Sequence, residues 1–202
     1  MGLLLLKTLA LAGLAAALPP LPNEHAKYAR WMTNELRYGF ISTISTQPGL
    51  EGTPFGNVVS YGDGGSGVPY MCVSPLDASV QDLAKNPKFS MTISNAQLDE
   101  TATNLMCSEG KFGDPENPPC SRLTLSGTFV NVTASRPGGE WAIAKAALNA
   151  THPAMNSWGC FDDKSGDHDF FLAKLDVTQA WLIDIFGGAA TIPAKEYFAA
   201  KP

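Results

Sequence analysis

The sequence predicts a mainly β (α+β) fold, about six to seven antiparallel strands in a closed or partly closed barrel with flanking helices. Three observations carry this. Short segments alternate apolar and polar residues, most clearly RLTLSGTFVNV: Leu123, Leu125, Gly127 and Phe129 share one face, Arg122, Thr124, Ser126 and Thr128 the other. That is the pattern of a strand with one wet side. Stretches of helical spacing are few, so crossover helices are scarce. The order (helix, three strands, helix, two strands, helix, two strands) suits a sheet that closes on itself.

The chain of 202 residues suits a single domain with its own core. It opens with MGLLLLKTLALAGLAAALPP, where Lys7 precedes an apolar stretch that is too short to span a bilayer and ends in small residues. Residues 1–18 read as a secretory signal peptide and 19–202 as the domain. Residues 23–38 place Tyr28, Ala29, Met32 and Leu36 at helical spacing, with Gly39 as the stop. FISTIST and FGNVVSY are strands, and GDGGSG is a flexible turn before a third strand at residues 68–73. Ser74-Pro75-Leu76-Asp77 reads as a capping-box helix start, with Ser74 at the N-cap, and Asn86-Pro87 ends that helix. KFSMTIS sets Phe89, Met91 and Ile93 on one face. A loop of about 25 residues follows, long for a compact domain unless stapled or functional. Residues 139–150 form an alanine-rich helix. DFFLAKLDV and AWLIDIFGG read as a hairpin turning around Thr178, with Phe171 and Trp181 buried.

Without Lys7 the chain carries 13 basic against 19 acidic residues, a net charge of −6. The basic residues are scattered, which argues against nucleic acid or an anionic membrane as partner. No later stretch is long and apolar enough for a membrane span. Four cysteines in a secreted chain invite disulfides. Cys107 and Cys120 read as a pair closing one polar loop, which contributes roughly 3 kcal/mol in the chain-entropy model. Cys72 and Cys160 either bond to each other or leave Cys72 as a free core thiol. Zinc is the weaker reading, since neither CxxC nor HxxxH spacing occurs. The triplets Asn131-Val132-Thr133 and Asn149-Ala150-Thr151 are glycosylation sequons.

Catalytic signals are thin. His168 and Asp169 are adjacent and read as a solvated turn, and Asp162, Asp163 and Asp167 lack the calcium-loop register. Trp141, Trp158 and Trp181 read as core or interface anchors.

The segments YGFISTIST, GTPFGNVVSYGDG and SGVPYMCVSPLDASVQDLAKNPKFSMTIS, followed by LSGTFV, HPAM, FFLAKLDV and WLIDIFGG, closely resemble the CREG family of secreted glycoproteins. The match covers residues 29–197. The resemblance implies a split antiparallel β-barrel like that of the pyridoxamine-phosphate oxidases, which bind FMN across a homodimer interface. It also implies a homodimer that binds no flavin, a secreted or endolysosomal glycoprotein linked to growth control. Cys72 and Cys160 depart from the pattern of the animal members, whereas the Cys107/Cys120 loop follows it.

In flavin-binding members of that superfamily, the segment after the third strand carries a Lys or Arg and a Ser/Thr that clamp the phosphate. Here it reads SPLDASVQDL: Ser79 aligns with the basic residue, while Asp77 and Asp82 add negative charge. A helix dipole supplies about 0.3–1 kcal/mol toward an anion, too little against an adjacent carboxylate. No cofactor is therefore expected, and the chain reads as non-enzymatic. FMN is the alternative: an FMN-dependent oxidoreductase in which Ser42, Thr43, Ser74 and Ser79 hold the flavin. Arg30, Arg37 or Lys88 would then have to supply the charge from elsewhere.

Overall fold

The computed structural model describes residues 20–21, 23–98, 107, 115–116, 120–161, 168–184 and 188–202. The signal-peptide expectation lies outside them, as do Asp162, Asp163 and Asp167 and most of the loop between Cys107 and Cys120. The strands are β1 (Tyr38–Ile44), β2 (Pro54–Ser60), β3 (Tyr70–Val73), β4 (Lys88–Ser94), β5 (Arg122–Asn131), β6 (Phe171–Ile183) and β7 (Ala189–Pro193). The helices are α1 (His25–Glu35), α2 (Ala78–Lys85), α3 (Gly139–Thr151) and α4 (Ala194–Ala199).

All strand pairs are antiparallel, in the order β2-β1-β4-β5-β6-β3, with β7 also on β6. The sheet curls into a half-barrel. Its two ends meet where Gly62 and Tyr70 exchange backbone hydrogen bonds of 3.0 Å. The alternation seen in the sequence sets the inner face: Ile41, Met91, Ile93, Leu123, Leu125 and Leu182 pack with Tyr28, Trp31 and Met32 of α1 and with Leu36 just after it. Successive strand residues point to opposite faces. Tyr70 and Leu172 therefore join Trp141, Leu148, Met155 and Phe161 in a second cluster that seats α3 outside the barrel. The cysteines lie at disulfide distance as Cys72–Cys160 (Cα–Cα 6.0 Å) and Cys107–Cys120 (4.6 Å), so Cys72 is not a free thiol.

Four local expectations are corrected. The helix over residues 23–38 stops at Glu35 with Leu36 already extended, and Gly39 lies inside β1. A Cβ there would come within 2.7 Å of Met91 Cγ, so the glycine serves strand packing. Ser74 is not the cap of α2: Asp77 is, while Ser74 caps the preceding turn through Leu76 N–H at 3.2 Å. No hairpin forms around Thr178, because β6 runs through it as one strand of 13 residues. The register shifts there, Ser126 facing Gln179 and Gly127 facing Val177, which leaves Thr178 as a bulge. The bulge reverses side-chain parity: Ala173, Leu175 and Val177 face inward before it, Ala180 and Leu182 after it. That reversal mimics a turn in the sequence, and it sends Trp181, expected inside, to the outer face at 39 % exposure. Gly127 is required at the bulge, since a Cβ would lie 2.0 Å from the Asp176 carbonyl oxygen.

Candidate functional site

The segment from β3 into α2 is where a phosphate would sit, because the first turn of a helix presents N–H groups without backbone partners. In this chain a side chain already holds them. The Asp77 carboxylate accepts from Ser79 N–H at 2.7 Å and Val80 N–H at 3.3 Å, and from Asn57 Nδ2 of β2 at 3.1 Å. A dianion brought to the same N–H groups would meet a fixed negative charge. The residues present do not fit a flavin phosphate.

The hydroxyls proposed for a flavin are not brought together. Ser42 is exposed on the outer face of β1, and its neighbour Thr43 points inward. Thr43 Oγ1 donates to Asp82 Oδ2 at 2.9 Å. Ser74 Oγ donates to the His168 carbonyl, and Ser79 is fully buried in the first turn of α2 with an unpartnered hydroxyl. Of the cations, Lys88 is exposed on the outer face at the start of β4. Arg30 is buried; it donates to Gly65 O at 2.6 Å and Ala200 O at 2.7 Å and lies over the Tyr197 ring. It cannot leave without opening the core. His152 Nε2, 2.9 Å from Arg37 O and 3.0 Å from Tyr61 O, must carry the ring proton and donate it.

Asp82 turns out to be a tie between α2 and the end of β1. It accepts from Thr46 N–H, Thr46 Oγ1 at 2.9 Å and Thr43 Oγ1. Burial pushes its carboxyl up, but the bonds from the Thr46 backbone, Thr43, Thr46 and Gln47 win and hold it below the usual aspartate range. A carboxyl depressed by folding stabilises the protein above its unfolded pKa of about 3.9, and the contribution fades as pH falls toward the folded value. The gap in melting temperature between wild type and Asp82→Asn is therefore expected to narrow from about pH 7 to about pH 3. A gap that widened on acidification would contradict this role.

Two features were not visible in the sequence. The GDGGSG turn is an ordered loop around buried Asp63, which accepts from Gly65 N–H at 2.9 Å and Gly67 N–H at 2.8 Å. Gly67 has φ +81, and a Cβ on it would lie 2.5 Å from Arg30 Nε, so glycine is needed on both counts. The second feature is the outer face of the sheet. Phe40, Ile44 and Val58 are exposed at its β1–β2 end (55 %, 44 % and 56 %) and Trp181 at the other. Between them run Thr92, Thr124, Ser90 and Ser126, paired across β4 and β5. A shallow concavity of about 580 Å³ on this face is lined by Ser42, Ser90, Ser126, Thr128, Thr178 and a single cation, Lys88. The centre of this face is thus polar and poor in charge, and exposed apolar side chains flank it at both ends.

Comparison with known proteins agrees with the fold. The CREG, beta-barrel family model matches residues 20–199. Protein CREG1 of Gallus gallus is 39% identical over 199 residues, covering 96% of this chain and 95% of that protein. Protein CREG1 of Homo sapiens is 39% identical over 190 residues, covering 91% and 79%. A solved heme binding protein from Mycobacterium smegmatis superposes with a TM-score of 0.65 at 25% identity, covering 91% of this chain and 62% of its own.

Proposed function

The chain belongs to the CREG β-barrel family, and from that premise we propose that it is a non-enzymatic, secreted or endolysosomal glycoprotein that acts through protein contacts as a homodimer. The observation that carries the reading is Asp77: the helix start that would take a cofactor phosphate holds the chain's own carboxylate. The outer face supports the dimer, since Phe40, Val58 and Trp181 offer a patch that a second copy would cover by two-fold symmetry. The disulfide pairs and the sequons at Asn131 and Asn149 suit the secretory route. No helix among the described residues is long and apolar enough to cross a membrane.

A cofactor-binding protein, in its sharper form the FMN-dependent oxidoreductase, is the second reading, and the likeness to the mycobacterial heme binding protein favours the coarser form. One experiment separates the two. Protein secreted from a eukaryotic host is passed through size-exclusion chromatography with light scattering and a full absorption spectrum. The expected result is a dimer mass with neither flavin nor Soret absorbance, and a shift to monomer with retained circular dichroism in Phe40→Asp/Val58→Asp. Stoichiometric cofactor absorbance, or a wild-type monomer, overturns the proposal.

A further inference from the structure

Helix α3 is apolar on both sides. Trp141, Ala144, Ala147 and Leu148 are buried toward the barrel. At about 3.6 residues per turn, Ala142, Ile143, Ala146, Asn149 and Ala150 form the opposite face. All of them are exposed, Ile143 at 55 %. A helix that is hydrophobic all round is ordinarily buried, yet this outer face meets solvent. Lys145, at its edge, does little to make the face polar, because its ammonium lies over the Trp141 and Phe161 rings at 5.3 and 5.7 Å.

Asn149 is the one polar residue on that face, and it opens the Asn149-Ala150-Thr151 sequon. Its Oδ1 accepts a hydrogen bond from Asn156 Nδ2. The bond fixes the amide by its oxygen, and the atom that glycosylation uses is the other one, Nδ2. We propose that Asn149 carries an N-linked glycan whose role is to cover the exposed apolar face of α3. The inference rests on the secretory reading above and gives one of its two sequons a function. In the modification Nδ2 bonds to the sugar C1, the amide loses a proton, and a lipid-linked pyrophosphate leaves; the host's lumenal transferase supplies that donor. Asn131 is the internal contrast. It ends β5, where its Oδ1 accepts from Thr133 N–H at 2.8 Å, and it lies on a strand rather than on a helix face.

The test uses the full chain secreted from a eukaryotic host. Site occupancy is read by peptide mass after enzymatic deglycosylation, which converts each glycosylated Asn to Asp. Binding of the apolar dye ANS and association on concentration report the surface. The expected result is occupancy at both sites. Asn149→Gln should bind several-fold more dye than wild type, Asn131→Gln should match wild type, and Asn149→Gln/Ile143→Lys should return toward it. If Asn149→Gln is not secreted, removing the glycan from folded wild type makes the same comparison. Asn131 occupied with Asn149 bare overturns this inference and leaves the secretory reading intact. Both sites bare overturns both. An occupied Asn149 whose glycan can be removed without change in dye binding or association overturns the covering role.

Discussion

Cys72→Ser/Cys160→Ser is expected to lose about 4–5 kcal/mol of stability, more than the same change at the other bridge. The bridge spans a sequence separation of 88, against 13 for Cys107–Cys120. In the chain-entropy model those loops are worth about 4.6 and about 3 kcal/mol. Domains of this size are typically stable by only about 5–15 kcal/mol, so the longer bridge is a large share of the total. Its position adds a structural consequence. Cys72 lies in β3, which pairs with β6 along its length and on its other side with Gly62 at Tyr70, and Cys160 follows the short turn after α3. Without the bridge, α3 and its cluster around Trp141 and Phe161 hold to the barrel by packing, by the Glu140–Lys174 ion pair at 2.7 Å and by the His152 bonds to Arg37 O and Tyr61 O. Denaturant unfolding of the serine pair should therefore show a lowered midpoint, and proteolysis should cut first between α3 and β6. An unfolding free energy within about 1 kcal/mol of wild type would mean that the bridge contributes little.

The parts of the fold that could be read from the sequence are those set by local chemistry. β4 and β5 were readable because Phe89, Met91, Ile93, Leu123 and Leu125 alternate without interruption and are all buried. The end of α2 was readable because Pro87 acts on its own neighbour. What escaped was decided by partners far along the chain. Ser74 and Asp77 are equally good helix caps by type. The choice falls to Asp77 because Asn57 braces its carboxylate, while the Ser74 hydroxyl is drawn to a carbonyl 94 residues away. The bulge at Thr178 reads as a turn because both interrupt the alternation, and only the register with β5 tells them apart. At α4, six residues are too few to show a helical period. The same division holds at the site. Negative charge against phosphate was plain in Asp77, but the inward turn of Asp82 toward Thr43 depends on α2 packing on β1, which no local pattern records.

Arg30→Met is expected to destabilise the protein by about 3–5 kcal/mol, the usual effect of removing one partner from a buried charged network. The guanidinium joins three distant parts of the chain. From α1 it reaches Gly65, 35 residues on, and Ala200, 170 residues on, and it covers the ring of Tyr197. Tyr197 in turn donates to Gly67 O at 2.9 Å, so the C-terminal helix and the loop around Asp63 close on the same cation. Arg30→Lys should recover little, because one ammonium cannot reproduce a planar fork aimed at two carbonyls. Acid should recover more. Burial already raises the Asp63 carboxyl above the ordinary aspartate range, against the pull of its Gly65 and Gly67 bonds and of Arg30. Losing the cation raises it further. A carboxyl raised by folding contributes fully below its unfolded pKa of about 3.9, and that contribution is lost as pH rises through the folded value. The deficit of Arg30→Met should therefore grow from about pH 4 to about pH 7, and adding Asp63→Asn should remove that growth. Parallel stability curves for wild type and Arg30→Met over that range would show that Arg30 does not act on Asp63 at all.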